Sequence, residues 1–279
     1  MYRIVRKEAL KPTVILYEIE APMVAKKAEP GQFIILRVDE KGERIPITIH
    51  DYDREKGTVT IIVQTVGATT EKLSHKQQGE CLHDFVGPLG RPTETEGKKK
   101  VCVVGGGVGC AIAYPVLKKF HDCGAEVHAV VGFKSKDVVI LEDKFKAVSS
   151  VLKVCTDDGS YGQKGLVTEA LKQLLDDGNQ YDEIFAIGPM VMMKFVCKTT
   201  EPYGIPTTVS MSPIMIDGTG MCGGCRLSVG GEMKFACVDG PDFDGFQVDW
   251  NLAVKRNQMY RDFEMHKHEE VCNLYRKEA

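Results

Sequence analysis

The sequence predicts a β barrel plus α/β fold in three successive parts: a small antiparallel barrel, a Rossmann-like domain on a parallel sheet, and a cysteine-bearing loop module with a helical tail. Three observations carry that expectation. Residues 1–97 hold short runs of Val, Ile, Thr and Phe, recurring about every 12 to 15 residues between Pro-Gly and Lys-Gly turns with almost no helical period. Residues 98–212 alternate apolar strand-like runs with helical segments, the pattern of a parallel sheet covered on both faces. Residues 213–279 open on a glycine-rich stretch, DGTGMCGGCRLSVGGEMKFAC from Asp217 to Cys237, and close in a charged amphipathic segment. The same three spans are the expected domains.

With 279 residues, 43% of them hydrophobic, the chain can bury two cores and support an appendage. Its formal net charge of −3 is spread over interspersed signs, so neither nucleic acid nor an anionic membrane is expected as a partner. The least polar stretch, 101–117, is broken by three consecutive glycines and by Pro115, and reads as strand, turn and helix rather than a membrane span. The opening MYRIVRKEAL has no apolar h-region, so a cytoplasmic protein without a signal peptide is expected. Outside the 217–237 loop the cysteines are scattered singly, which points to reduced, mostly core-filling thiols.

In the first part, strands are expected at 2–5, 13–20, 32–38, 45–51, 58–66 and 80–86, with one short helix at 70–75. Arg44, Pro46 and Thr48 occupy alternate positions and so face one side of a strand. A guanidinium there suits a pyrophosphate, because its fork makes paired, charge-assisted hydrogen bonds. Gly67, Ala68, Thr69 and Thr70 lead from a strand into the short helix, where backbone N–H groups and hydroxyls can hold a second phosphate. Propensity alone reads the same residues as an edge strand with exposed side chains.

In the middle part, a buried-type strand at 100–104 runs into Gly105, Gly106, Gly107, Val108 and Gly109 and then an apolar helix to Phe120. Such glycines let the backbone approach a diphosphate lying on a helix N-terminus. Cys110 stands where G-x-G-x-x-G has its third glycine, so the fingerprint is not standard, and a plain strand-to-helix turn also fits. Further strands are expected at 126–133, 151–156 and 183–187, and helices at 142–148, 165–175 and 190–199. Ligands bind at the carboxyl ends of such strands, which here are the glycine turn, Thr156-Asp157-Asp158-Gly159 and Gly188-Pro189-Met190. Lys134 and Ser135 end the second strand; they leave NAD against NADP open, and also read as solvated surface.

A cysteine at Asp217 would complete C-x4-C-x2-C…C, the plant-type [2Fe-2S] spacing. Asp217, Cys222, Cys225 and Cys237 are therefore the expected metal ligands. Gly218, Gly220, Gly223 and Gly224 allow the sharp turns that point backbone N–H groups at sulfur. Zinc uses the same thiolates, although no second C-x2-C or H-x3-5-H pair follows, and three free thiols are the plainest reading. A carboxylate at 217 equally serves as a turn cap. Residues 250–279 fit one or two amphipathic helices that pack on their own domain or dock to a partner. His266 and His268 read as solvated helix residues rather than a metal pair.

The order R-I-P-I-T at 44–48, Gly87-Pro88-Leu89-Gly90, then the glycine turn resembles the ferredoxin–NADP reductase superfamily. That resemblance implies FAD on the barrel and NAD(H), with NADP(H) admissible, on the α/β domain. It puts Arg44, Pro46, Thr48 and Ile49 at the flavin and its phosphates, and Gly67, Thr69 and Thr70 at the pyrophosphate. Thr156, Asp157, Asp158, Gly188, Pro189 and Met190 would line the nicotinamide nucleotide. Members of the superfamily often carry an aromatic residue where this chain has Pro46. The order flavin, nucleotide, cluster is similar to electron-transfer subunits of class B dihydroorotate dehydrogenases. It is more similar to small subunits of NADH-dependent reduced ferredoxin:NADP oxidoreductases, on the strength of D-G-T-G-M-C-G-G-C and the long segment after Cys237. The implied protein is an NAD(P)H-dependent FAD/iron–sulfur electron-transfer subunit, paired with a larger flavin and iron–sulfur subunit in a ferredoxin-linked, bifurcating heterodimer. No acid or base side chain is required of it. A dihydroorotate or sulfide dehydrogenase subunit, and a non-catalytic zinc-stapled binding subunit, are the alternatives.

Overall fold

The computed structural model describes residues 1–278, and the side chains of 1–275. The first part comprises β1 (Tyr2–Lys11), β2 (Val14–Glu20), α1 (Pro22–Ala25), β3 (Phe33–Arg37), β4 (Ile45–Thr48), β5 (Asp51–Asp53), β6 (Thr58–Gln64), α2 (Ala68–His75), β7 (Cys81–Leu82) and β8 (Asp84–Leu89). Two antiparallel sheets, β5-β6-β2-β1-β7 and β4-β3-β8, close on one core. The β2–β6 register sets Ile15 opposite Val63, Tyr17 opposite Ile61 and Ile19 opposite Val59, and all six fill that core. The expected strand at 45–51 is divided. Ile49 N–H donates to Gln32 and His50 N–H to Thr60, so the chain leaves one sheet for the other between Thr48 and Asp51.

Neither β2 nor β3 shows the alternation of a half-solvated strand, because both of their faces are buried. Val14, Leu16 and Ile62 turn away from the barrel and join the core beneath the α/β sheet. Phe33 and Ile35 turn away likewise and join the core on that sheet's other face.

The middle part comprises β9 (Lys100–Gly106), α3 (Gly109–Asp122), β10 (Glu126–Phe133), α4 (Glu142–Val148), β11 (Val151–Thr156), β12 (Gln163–Lys164), α5 (Val167–Asp176), β13 (Glu183–Ile187), α6 (Met190–Thr200) and β14 (Thr207–Ser210). The parallel order β11-β10-β9-β13-β14 reverses direction at β9 and β13, the place where doubly wound sheets bind ligands. Alternation along β9 sorts the layers. Val101 and Val103 face α3 and α4, while Cys102 and Val104 face α5 and α6.

The last part comprises β15 (Arg226–Val229), β16 (Glu232–Phe235), α7 (Ala236–Asp239), β17 (Asp242–Asp244), α8 (Trp250–Asn257) and α9 (Arg261–Glu278). β15 and β16 form a hairpin turned by Gly230 and Gly231. β17 pairs antiparallel with β14 at the edge of the seven-stranded sheet. Met215, Cys225, Leu227, Ala236 and Cys237 lie in the same core as α5 and α6. The cysteine loop is thus built into the α/β body rather than hung from it. Asp249 caps α8 by accepting from Leu252 N–H at 3.0 Å, and α9 crosses back to lie on α2.

A proline inside α3 sets the seam between barrel and α/β domain. Pro115 has no N–H to give Ala111, four residues earlier, and His50 Nδ1 donates to that carbonyl at 2.7 Å. Burial lowers His50 from 6.5 to about 4, so the ring is neutral near pH 7. Where β17 pairs with β14, burial raises Asp242 from 3.8 to about 6, against the donated bonds of Thr93 and Ser210. The two groups act oppositely on stability. A depressed histidine makes the fold lose stability as pH falls from about 6.5 towards 4, because the unfolded chain takes the proton first. A raised aspartate makes it lose stability as pH rises from about 3.8 towards 6, because the unfolded chain releases the proton first. Thermal melts between those limits should therefore show Asp242→Asn falling more steeply than wild type on acidification, and His50→Gln less steeply. Equal slopes in the three proteins would refute this account.

Candidate functional site

A cleft of about 360 Å³ opens where the three parts meet. Pro46, Thr48 and Thr70 form its barrel wall, Val108, Ile112 and Gly188 its α/β wall, and Ser210, Met211 and Ser212 the floor towards the cysteine loop. Thr70 sits at the turn into α2. Its hydroxyl accepts from Val66 N–H at 3.0 Å and Gly67 N–H at 2.9 Å and donates to the Gly67 carbonyl, which orders the segment without any ligand. Thr69 is buried and donates to Glu43 at 2.8 Å, so it shapes the helix start from behind.

Two of the barrel candidates stand elsewhere. Ile49 is 1% exposed and packs inside the barrel core, because it follows Thr48 by one residue and points to the opposite face. Arg44 precedes β4 and does not line the cleft. Its guanidinium ion-pairs with Asp84 at 3.1 Å and donates to the Ile216 carbonyl at 2.8 Å, tying the barrel to the segment that enters the cysteine loop. The glycine turn at the α/β wall depends on close backbone contact. A Cβ on Gly109 would stand 2.7 Å from the Ile187 carbonyl oxygen, so only glycine lets the β9 and β13 turns touch. Gly105 and Gly106 end β9 and Gly107 opens the turn into α3, and Cys110 is fully buried behind it. Pro189 opens α6, while the Met190 side chain is spent in the core. Thr156 is also fully buried, and its hydroxyl donates to the Tyr161 carbonyl at 2.6 Å. It therefore holds the loop that presents the exposed Asp157 and Asp158, the latter capping Ser160 N–H at 2.9 Å.

In the cysteine loop, Cys225 and Cys237 are buried with their sulfurs 3.3 Å apart, and Cys222 is exposed. Asp217 accepts from Thr219 N–H at 3.0 Å and Cys222 N–H at 2.8 Å, and these amides hold its carboxyl below the usual range. Gly218, Gly220 and Gly223 have positive φ; Gly224 does not. At Gly218 the requirement is also steric, since a Cβ would come within 2.6 Å of Leu89. A donor set of three thiols and an ionised carboxylate, with Gly224 N–H already aimed at Cys222 sulfur at 3.4 Å, fits a two-iron cluster. The four ligands need not converge on one point, because two irons divide them.

Sequence reasoning missed His50, which lines the cleft, and the serines of the 205–216 connector. Pro115, four residues after a carbonyl with no helical partner, was the available signal for a donor at that spot.

The fold and the cleft together define an oxidoreductase of the ferredoxin-reductase-like class. The chain belongs to the family of dihydroorotate dehydrogenase B electron transfer subunits and their homologues. The model for the iron-sulfur cluster binding domain of dihydroorotate dehydrogenase B matches residues 212–249, which hold all four candidate ligands. A homologue of that electron transfer subunit from Thermotoga maritima is 47% identical over 94% of this chain and 92% of its own length. A protein in the adh 3′ region of Clostridium beijerinckii is 52% identical over 94% of this chain and 91% of its own. A solved structure of an NADH-dependent reduced ferredoxin-NADP oxidoreductase superposes with a TM-score of 0.92 at 45% identity, covering 98% of each chain. Among the described residues no helix is long and apolar enough to cross a membrane.

Thr70→Val removes the acceptor for two backbone N–H groups at the cleft wall. Denaturant unfolding should show a loss of about 1 to 2 kcal/mol, largely restored in Thr70→Ser. An unchanged midpoint in Thr70→Val would count against the capping role.

Proposed function

We propose that this chain is the smaller subunit of a two-subunit, flavin-based bifurcating oxidoreductase that links NADH, NADPH and ferredoxin, working beside a larger flavin and iron–sulfur subunit. The observation that carries the reading is the cleft itself, bounded at once by the barrel, the nucleotide turn and the connector to the cysteine loop. Likeness to a solved oxidoreductase over 98% of both chains supports it. In this reading residues 1–97 hold FAD, 98–212 the nicotinamide nucleotide and 213–279 the cluster. When bound, FAD exchanges a hydride with the nicotinamide and the [2Fe-2S] cluster carries single electrons.

The chain's own residues bind and position. Pro46, Thr48, Gly67 and Thr70 present an ordered wall to the flavin, with Thr69 and Ile49 supporting it from behind. Arg44 reaches a phosphate by leaving Asp84, and otherwise anchors the connector. Gly105, Gly106, Gly107 and Gly109 admit the dinucleotide phosphates to the start of α3, while Thr156, Asp157, Asp158, Gly188, Pro189 and Met190 shape the nicotinamide side. The apolar lining from Val108, Ile112 and Met211 keeps water from the reacting atoms. Asp217, Cys222, Cys225 and Cys237 would hold the two irons, with the Cys225 and Cys237 sulfurs already 3.3 Å apart and Asp217 bonded to Cys222 N–H. Ten free thiols suit a reducing compartment, and we place the protein in the cytoplasm. The family name favours one second reading, service to a dihydroorotate dehydrogenase.

The purified chain should show flavin bands together with iron and acid-labile sulfide, and anaerobic NADH should bleach the flavin and produce the paramagnetic signal of a reduced two-iron cluster. Bleaching without that signal, or a colourless protein holding zinc, would sink the proposal. Substituting Asp217→Cys exchanges a hard oxygen ligand for a more donating thiolate, so the cluster midpoint should fall in a redox titration. A midpoint that stays or rises would remove Asp217 from the ligand set.

A further inference from the structure

A second group of metal-binding side chains lies away from the cleft, where α9 rests on α2. Glu71 of α2 and His268 and Cys272 of α9 each offer one ligand atom, and the three atoms lie within 4.8 Å of one another. Among the described residues no other group of three His, Cys, Asp or Glu side chains does so. Spacing explains the convergence: His268 and Cys272 are four apart and share one face of α9, as do Glu71 and His75 on α2. The side-chain arrangement is unbalanced as it stands. His268 Nε2 is shut from solvent without a hydrogen-bond partner, and one Glu71 carboxylate oxygen stands 3.8 Å from it. The other Glu71 oxygen is held by His75 Nε2 at 3.3 Å, and His75 stacks on Tyr275 of α9 with ring centroids 3.7 Å apart.

We propose that Glu71, His268 and Cys272 form a zinc site that fastens the C-terminal helix to the barrel. One imidazole, one thiolate and one carboxylate are a zinc donor set, whereas calcium and magnesium take oxygen alone. The charges balance: the Cys272 proton goes to solvent on binding, and thiolate plus carboxylate neutralise the dication around a neutral histidine. Ligand atoms around tetrahedral zinc stand about 3.4 Å apart, so the three, now within 4.8 Å, must close by at most about 1.4 Å, within reach of side-chain rotation. Water takes the fourth position. His75 is the outer partner that orients the carboxylate. Because α2 begins at the Gly67 turn beside the cleft, the bound ion would also steady that wall.

The test uses the full chain carrying its flavin and cluster, dialysed to equilibrium against graded Zn²⁺, with zinc and iron counted separately. One zinc per chain should be taken up without loss of iron, and the His268→Gln/Cys272→Ser double variant should lose that uptake while keeping its iron and flavin. His75→Ala should weaken binding by about 10- to 100-fold. Glu71→Gln, milder than the double variant, should weaken it as well. Hydrogen exchange in α9 should slow on adding zinc to wild type and stay unchanged in the double variant. Zinc uptake equal in wild type and double variant, uptake only at the expense of iron, or no uptake would each overturn the site. None of these readouts depends on electron transfer, so the site stands or falls apart from the function proposed above.

Discussion

A single hydrogen bond marks the constraint on which the architecture rests. Pro115 leaves the Ala111 carbonyl of α3 without its helical donor, and the buried, neutral His50 supplies one from the barrel. A bond of this kind fixes orientation more than it adds stability. The larger free energy comes from the strands around it, since Val14 and Leu16 of β2, Phe33 and Ile35 of β3 and Ile62 of β6 turn outward and enter the two cores of the α/β domain. Those five side chains need an apolar partner, so the barrel docks on the α/β domain, and the His50 contact selects where.

Docking in that position makes the cleft. The glycine turn after β9 and the Gly188 turn after β13 meet at the reversal of strand order and face the barrel wall formed by Pro46, Thr48 and Thr70. The cysteine loop is locked to the same body from several sides. β17 extends the sheet beside β14, Arg44 donates to the Ile216 carbonyl, and Arg91 donates to the Val238 carbonyl at 3.2 Å. Arg256 of α8 adds a bond to the Gly224 carbonyl at 3.2 Å. Transfer between separate redox centres needs constant separation, and a loop held by a sheet edge and three arginines provides it better than a flexible appendage.

Much of this was legible in the residues. Strand runs with turn pairs announced the barrel, and β10, β11, β13 and α4 fall on the residues that periodicity assigned to them. The elements misjudged were those that tertiary pairing redraws. The strand expected at 45–51 breaks because its second half pairs with β6, and that at 80–86 divides into β7 and β8 because each half joins a different sheet. Short apolar runs carry no mark of which neighbour they will choose. The tail, read as packing on its own domain or docking elsewhere, lies on α2 and against the cysteine loop.

What the sequence determined alone is local and chemical: the glycine turn, the spacing of Asp217, Cys222, Cys225 and Cys237, the apolar period of each strand and helix. These depend on residues near one another along the chain, where backbone geometry leaves few choices. Only the tertiary structure decided that Arg44 would turn from the cleft to Asp84, that Ile49 would face the barrel core, and that His50 would meet Ala111 across the seam. It also brought Glu71 to His268 and Cys272, roughly 200 residues further along the chain. Those pairings follow from the burial of faces on elements far apart in sequence, and the burial is settled only when all the elements pack at once.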